Sequence, residues 1–286
     1  EPAEVFTSSM DAAAILAERL PAGSLVLVVG SDGLREPLED AGFRVTLSAE
    51  DHPVAVVQGW APHLGWAELS EAVYAIADGA LHVATNLDAT LPTERGFALG
   101  NGSLVAAVAN ATGVTPLAGG KPLPGIYRRA LARSGGRLPL AVGDRLNTDL
   151  AGARAADIPG LHVLTGVSDA RDVILSDPAY RPCYLHTDLR GMSETHPGPE
   201  PTEGWWAVGA RRARVTGRHL QVDGGPDLTP GTESPESPGY PGSPGTDGTD
   251  QDTPRVTLDL DAYRAAVAAA WAHLDAGGAL AVPPID

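Results

Sequence analysis

Short apolar runs and helix-length stretches alternate from about residue 5 to residue 167. The runs are SLVLVVG (24–30), RVTL (44–47), VAVVQG (54–59), LHVATN (81–86), LPLAVGD (138–144) and LHVLTGV (161–167). They scarcely alternate with polar residues, which predicts strands buried on both faces, as in parallel sheets. Helices are predicted between them. The first starts near Ser8 or Ser9, whose hydroxyl can cap it, and stops before Pro21; others cover 67–77, 102–111, 125–134 and 148–156. Strands and helices in turn predict an α/β fold.

Past residue 167 the texture changes. GWWAVGARRARVTGRHLQVDGG (204–225) reads as two strands joined around Gly217. Residues 224–254 hold six acids, no bases and almost nothing apolar, which predicts a disordered linker. Then Tyr263, Val267, Ala270, Trp271 and Leu274 recur at helical spacing, predicting one amphipathic helix that docks on the body.

Composition narrows the function. A formal net charge of -16 on 286 residues disfavours nucleic-acid phosphates and anionic membranes as general partners. A single cysteine, Cys183, cannot form an internal disulfide, and no run reaches membrane-spanning length, so a cytoplasmic location is expected. The eight histidines show no close pair with zinc-type spacing.

Two places carry candidate chemistry. In AVGDRLNTDLAG, Asp144 follows a predicted strand and Asp149 begins the next helix, so the loop between them can turn both carboxylates toward one hard cation such as Mg²⁺. The plainer alternative makes Asp144 a turn residue and Asp149 a helix cap. The second place is LAGGKPLPG. Of 20 Lys and Arg residues only Lys121 is a lysine, with Gly119 and Gly120 permitting close approach and Pro122 and Pro124 suiting a helix entrance. A compact ammonium fits between a carboxylate and a phosphate; a solvated surface lysine is the alternative. Asn86 and Asp88, at a predicted strand end, are weaker candidates for substrate contact, with turn duties equally open. Trp205 and Trp206 can line a surface or pack the hairpin. SDG at 31–33 reads as a strand-to-helix turn rather than part of a dinucleotide fingerprint.

Taken in order and spacing, VVQGW, VATNLDATLPTERGFALGNGSLVAAVANATG, GGKPLPG and AVGDRLNTDLAGARAADIPGLHVLTGV resemble the haloacid dehalogenase (HAD) superfamily, subfamily IIA, phosphatases with a C2-type cap. The likeness covers roughly residues 4 to 190, and the tail from 204 to 280 resembles the C-terminal extension of actinobacterial members. It implies a C2 cap over 1–100, the C-terminal half of a Rossmann-like core over 101–195, a β-hairpin over 196–223, the linker over 224–254 and a docking helix over 255–286. It also implies Mg²⁺-dependent hydrolysis of a small phosphorylated metabolite through an aspartyl phosphate. Lys121 would orient nucleophile and phosphate, while Asp144 and Asp149 would serve the metal. A homodimer through the cap is compatible with it.

One departure stands out. The family pattern opens with a strand ending in DxDGx, whose first Asp is the nucleophile, then a second strand ending in Thr or Ser. Here EPAEVFTSSMDAAAILAERL already matches the segment that comes after those motifs, where the cap begins. An N-terminally incomplete, inactive form is therefore expected, with a non-catalytic phosphometabolite-binding or dimerising protein as the alternative. Asp259 and Asp261 in LDLDAY are poor substitutes, because Ala262 replaces the turn Gly and helical periodicity starts at once; Asp259 reads as a helix cap. Without the first strand, a buried parallel strand should be left with an unpaired edge.

Overall fold

The computed structural model describes residues 4–225, 227–228 and 256–285. Its described residues fall into two compact units, one ending at Arg137 and the other beginning at Leu138.

The first unit runs α1 (Ser8–Ala17), β1 (Leu25–Val29), α2 (Asp32–Asp40), β2 (Arg44–Thr46), β3 (Ala55–Gln58), α3 (Trp66–Ala77), β4 (Leu81–Ala84), β5 (Thr90–Thr93), β6 (Gly96–Leu99), α4 (Asn101–Thr112), β7 (Leu117–Ala118) and α5 (Pro124–Ser134). Five strands form a parallel sheet in the order β2-β1-β3-β4-β7, and β5 and β6 make a separate hairpin. Side chains of β1 go alternately to two cores, as the two-residue strand period requires. Val26 and Val28 pack with Ile15, Leu16, Leu34 and Leu38 of α1 and α2. Leu27 and Val29 join Ala72, Ala75, Ile76 and Val108 of α3 and α4. Both faces are covered, which is why the strand runs lack polar alternation.

The caps differ in part from expectation. Thr7, rather than Ser8 or Ser9, caps α1, its hydroxyl accepting from the Met10 N–H at 3.2 Å. Pro124 stands in the first turn of α5, where its missing N–H leaves no bond unmade. The SDG segment does open a helix, α2.

The second unit continues with β8 (Ala141–Gly143), a π-helical turn (Leu146–Leu150), α6 (Ala151–Ala155), β9 (Gly160–Val163), α7 (Ala170–Ile174) and β10 (Tyr184–His186). It then adds β11 (Glu200–Thr202), β12 (Trp205–Val208), β13 (Arg211–Thr216), β14 (His219–Val222), β15 (Asp227–Leu228) and α8 (Leu260–Asp275). A parallel sheet β10-β9-β8 sits beside an antiparallel sheet β11-β12-β13-β14-β15. Helix α8 closes their common core with Tyr263, Val267 and Ala270, while Trp271 packs at its edge and donates its indole N–H to the Val173 carbonyl at 3.0 Å. Asp259 caps α8 as expected, accepting from the Ala262 N–H at 2.9 Å.

Three expectations need correction. Residues 204–225 hold three strands, not two, because Gly209 at φ 56° makes a turn of its own ahead of the predicted one at Gly217. The expected linker lies outside the described residues except at 224, 225, 227 and 228, and there Leu228 is buried in β15 rather than disordered. The strand expected over 138–144 is only Ala141–Gly143; Leu138 is 97% exposed, and β8 is half-buried along its length. The unpaired edge foreseen for a buried parallel strand thus belongs to a half-buried one, which among the described residues bonds to β9 alone.

Candidate active-site loops

Lys121 follows β7 in a tight loop held by three backbone N–H groups. The Gly119 N–H donates to the Ala84 carbonyl at 2.8 Å, the Gly120 N–H to Asp11 Oδ2 at 2.9 Å, and the Leu123 N–H to the Gly120 carbonyl at 3.1 Å. Gly120 has φ 74°, and a side chain on it would stand 2.6 Å from the Thr85 carbonyl oxygen, so only glycine fits. Lys121 itself is exposed at the end of this turn.

Asn86 is brought to the same place, its Cβ 3.6 Å from where a Gly120 side chain would begin. Its carbonyl accepts from Asn101 Nδ2 at 2.9 Å, and its Oδ1 accepts from the Asp88 N–H at 3.2 Å. Asp88 is exposed, and its carbonyl accepts the Gly102 N–H at 2.8 Å. Of the two alternatives for this pair, turn-making is the duty the geometry shows. Sequence reading missed Asn101, which is buried at the start of α4 and joins the ends of β3 and β4 by donating to Gln58 O and Asn86 O. It also missed Asp11 and Arg129. A polar side chain in an apolar helix face was the available signal for Asp11.

In the second unit Asp144 follows β8 at its carboxyl end, where open α/β sheets gather ligands. Its Oδ2 accepts the Val167 N–H at 2.9 Å, and its carbonyl accepts the Ser168 N–H at 3.0 Å. Ser168 Oγ in turn accepts the Leu146 N–H at 3.2 Å. These bonds from the loop after β9 fix the carboxylate, and Oδ1 makes no hydrogen bond among the described residues. Asp149 lies buried inside the π-helical turn, where its Oδ2 accepts the Arg145 N–H at 3.2 Å. A side chain on Gly143 would collide with it, so the glycine before Asp144 makes room for Asp149 to fold back.

Beneath them His162 is fully buried, with Nε2 3.3 Å from the Asp144 carbonyl. Burial pushes its pKa down, opposed by the bond to Asp144 and by the charges of Asp144, Asp149 and Asp169. Two carboxylates on a hard-oxygen loop suit Mg²⁺, which keeps several waters and takes few protein ligands. Among the described residues no group of three or more His, Cys, Asp or Glu side chains forms a fuller cage.

A family model described as HAD-hydrolase-like matches residues 118–192, which include Lys121, Asp144 and Asp149. The D-glycerol 3-phosphate phosphatase of Mycobacterium tuberculosis is 47% identical over 204 residues, 71% of this chain and 58% of that protein. The chain thus spans less than two thirds of that relative. An acid sugar phosphatase of Staphylococcus aureus is 35% identical over 191 residues, 66% of this chain and 72% of its own length. The crystal structure of a glycerol phosphate phosphatase from Mycobacterium tuberculosis with magnesium superposes with a TM-score of 0.73 at 38% identity, over 93% of this chain and 71% of that one. A thermostable NPPase from Geobacillus stearothermophilus gives 0.60 at 31% identity, over 66% and 73%.

Proposed function

The chain belongs to the HAD-like hydrolases of subfamily IIA, and on that premise we propose that its residues bind a small phosphomonoester of the polyol or sugar phosphate class with Mg²⁺. The observation that carries the reading is the presence in one chain of both loops, each built to present its charge at the end of a parallel strand: Lys121 after β7 and Asp144 after β8. Asp144 and Asp149 are the residues that would hold the cation, which when bound offsets phosphate charge. The Lys121 ammonium neutralises the phosphate oxygens as a point charge.

No DxDGx motif occurs in the sequence. Asp259 is engaged as the α8 cap and in an ion pair with Arg211 at 2.6 Å, which supports a structural duty. We therefore read these 286 residues as holding the lysine and metal half of the phosphatase machinery, so that by themselves they bind the ester without turning it over. A cytoplasmic location and a homodimer through residues 1–100 are part of the same proposal.

The test is hydrolysis and binding of an aryl phosphate, with and without Mg²⁺, by the chain, Asp144→Ala and Asp259→Ala. The expected result is Mg²⁺-dependent binding without turnover, lost in Asp144→Ala and kept in Asp259→Ala. Metal-dependent turnover that vanishes in Asp259→Ala would overturn it by showing a nucleophile in the C-terminal segment.

A further inference from the structure

We propose that the buried Asp11 is the positioning residue for Lys121, acting with the half-buried Arg129 as an ionic clamp; the proposal rests on reading Lys121 as the phosphate-binding ammonium. Asp11 is 1% exposed on the first turn of α1. Its Oδ2 accepts the N–H of Gly120, the residue just before Lys121, at 2.9 Å. Its Oδ1 accepts Arg129 Nη1 at 2.8 Å, and Arg129 lies on α5, the helix entered just after Lys121. One carboxylate therefore grips the chain on both sides of the lysine.

The rest of the Arg129 fork is also placed. Nε and Nη2 donate to Glu18 Oε1 at 3.1 and 2.8 Å, so the guanidinium bridges Asp11 and Glu18, at the two ends of α1. Hydrogen bonding to Arg129 holds the Glu18 carboxyl below the usual range. At Gly119 an added side chain would start 2.9 Å from Asp11 Oδ2, so the carboxylate and the loop are in close approach.

A first-turn acid serving only the helix dipole would face solvent near its own amide groups. Asp11 is instead buried and directs both oxygens to the segment carrying Lys121. Buried ion pairs add little to stability, and apolar residues of similar volume commonly match them. A planar fork between fixed acceptors does define one geometry. The lysine stem is flexible, so where the ammonium can reach depends on how firmly its Cα is held.

Because Lys121 is the only lysine, reductive methylation of the full chain with isotope-labelled formaldehyde gives one lysine signal. The only other amine is the chain terminus, told apart by its lower pKa of about 8. Two readings are taken by NMR: the signal's position without ligand, and its shift on adding inorganic phosphate with Mg²⁺. The variants are Asp11→Leu with Arg129→Met, and Arg129→Gln alone, neither of which adds a lysine, each checked by thermal melting.

The wild type is expected to give a narrow signal displaced from the value of an unstructured lysine and a saturable phosphate shift. The double variant is expected to melt somewhat lower, because the buried Gly120 N–H loses its acceptor, yet to stay folded, move the signal to the unstructured position and weaken phosphate binding by about 10- to 100-fold, the range typical of lost supporting contacts. Arg129→Gln, which keeps a hydrogen-bond donor but not the charged fork, should fall between, and carries the test if the double variant fails to fold. A signal left in its wild-type position by the variants overturns the clamp, whatever phosphate does. A signal that moves in the variants but ignores phosphate in the wild type keeps the clamp and overturns the phosphate reading.

Discussion

Leu27 in β1 and Val142 in β8 come from similar apolar runs, yet they meet different surroundings. Leu27 is fully buried, in a strand hydrogen-bonded on both sides and covered by helices on both faces. Val142 is half-buried in a strand that among the described residues bonds only to β9. A strand's sequence reports the faces it is suited to bury, while the neighbours present decide how much is covered. The two candidate loops differ in the same sense. The Lys121 loop hangs on the buried Asp11 carboxylate and its ion pair with half-buried Arg129, whereas Asp144 is oriented by backbone N–H groups of the loop after β9.

The largest expected effect comes from cutting into the covered sheet. Leu27→Ala should cost the first unit roughly 2–5 kcal/mol, as is usual for emptying a filled core site. Val142→Ala should cost about 1 kcal/mol or less. Native-state hydrogen exchange resolves both, since it reports opening locally. Equal losses would mean that β8 is as well covered as β1, and the contrast would collapse.

Acid comes next and acts on both units through a buried histidine. His82 in β4 has its Nε2 3.1 Å from Gln58 Oε1, and burial pushes its pKa down to about 4. An unfolded chain takes up that proton near pH 6.5, so the unfolded state binds more protons between these values and stability falls as pH drops from 6.5 to 4. The loss through His82 reaches about 3 kcal/mol, since each pH unit across that interval costs about 1.4 kcal/mol. His162 in the second unit is depressed in the same direction, but the bond to Asp144 and nearby carboxylates oppose the change. Exchange measured at pH 7 and pH 4 should show the first unit weakened more, and His82→Gln should remove much of the difference. An unchanged pH response in that variant would mean His82 is not the sensor.

The smallest effect should be at Leu138. As an apolar side chain 97% exposed, it should tolerate replacement by Ser within about 0.5 kcal/mol. A loss of about 2 kcal/mol or more, on the scale of an emptied core site, would show that something covers it in solution.

These contrasts mark what the sequence could reveal. LVLVV was readable as a strand because its own side chains suffice to fill two faces, and Asp259 was readable as a cap because the partner N–H lies three residues away. The loops of Lys121 and Asp144 were readable because their glycines and carboxylates sit in short, ordered strings. The pairing of Asp11 with Arg129 was not, since they are linked only once α1 and α5 pack; Asp11 stands out only as a polar side chain in an apolar helix face, and Arg129 looks like an ordinary charged helix residue. Leu138 was misplaced for the converse reason: an apolar residue in a strand-like run carries no mark of whether a neighbour covers it.

The π-helical turn at Leu146–Leu150 has a consequence for how this loop tolerates change in length. Asp149 and Leu150 both donate to the Arg145 carbonyl, at 2.9 and 3.2 Å, so the turn carries one residue more than an α-helical turn would. Removing Asn147, which is exposed, would let the turn tighten to regular helix. Each residue of an α-helix advances about 100° around the axis, so the following side chains would swing by that much and carry Asp149 away from Gly143. The identity of residue 147 is thus nearly free while its presence is not, and the extra residue acts as a spacer that sets the azimuth of a carboxylate.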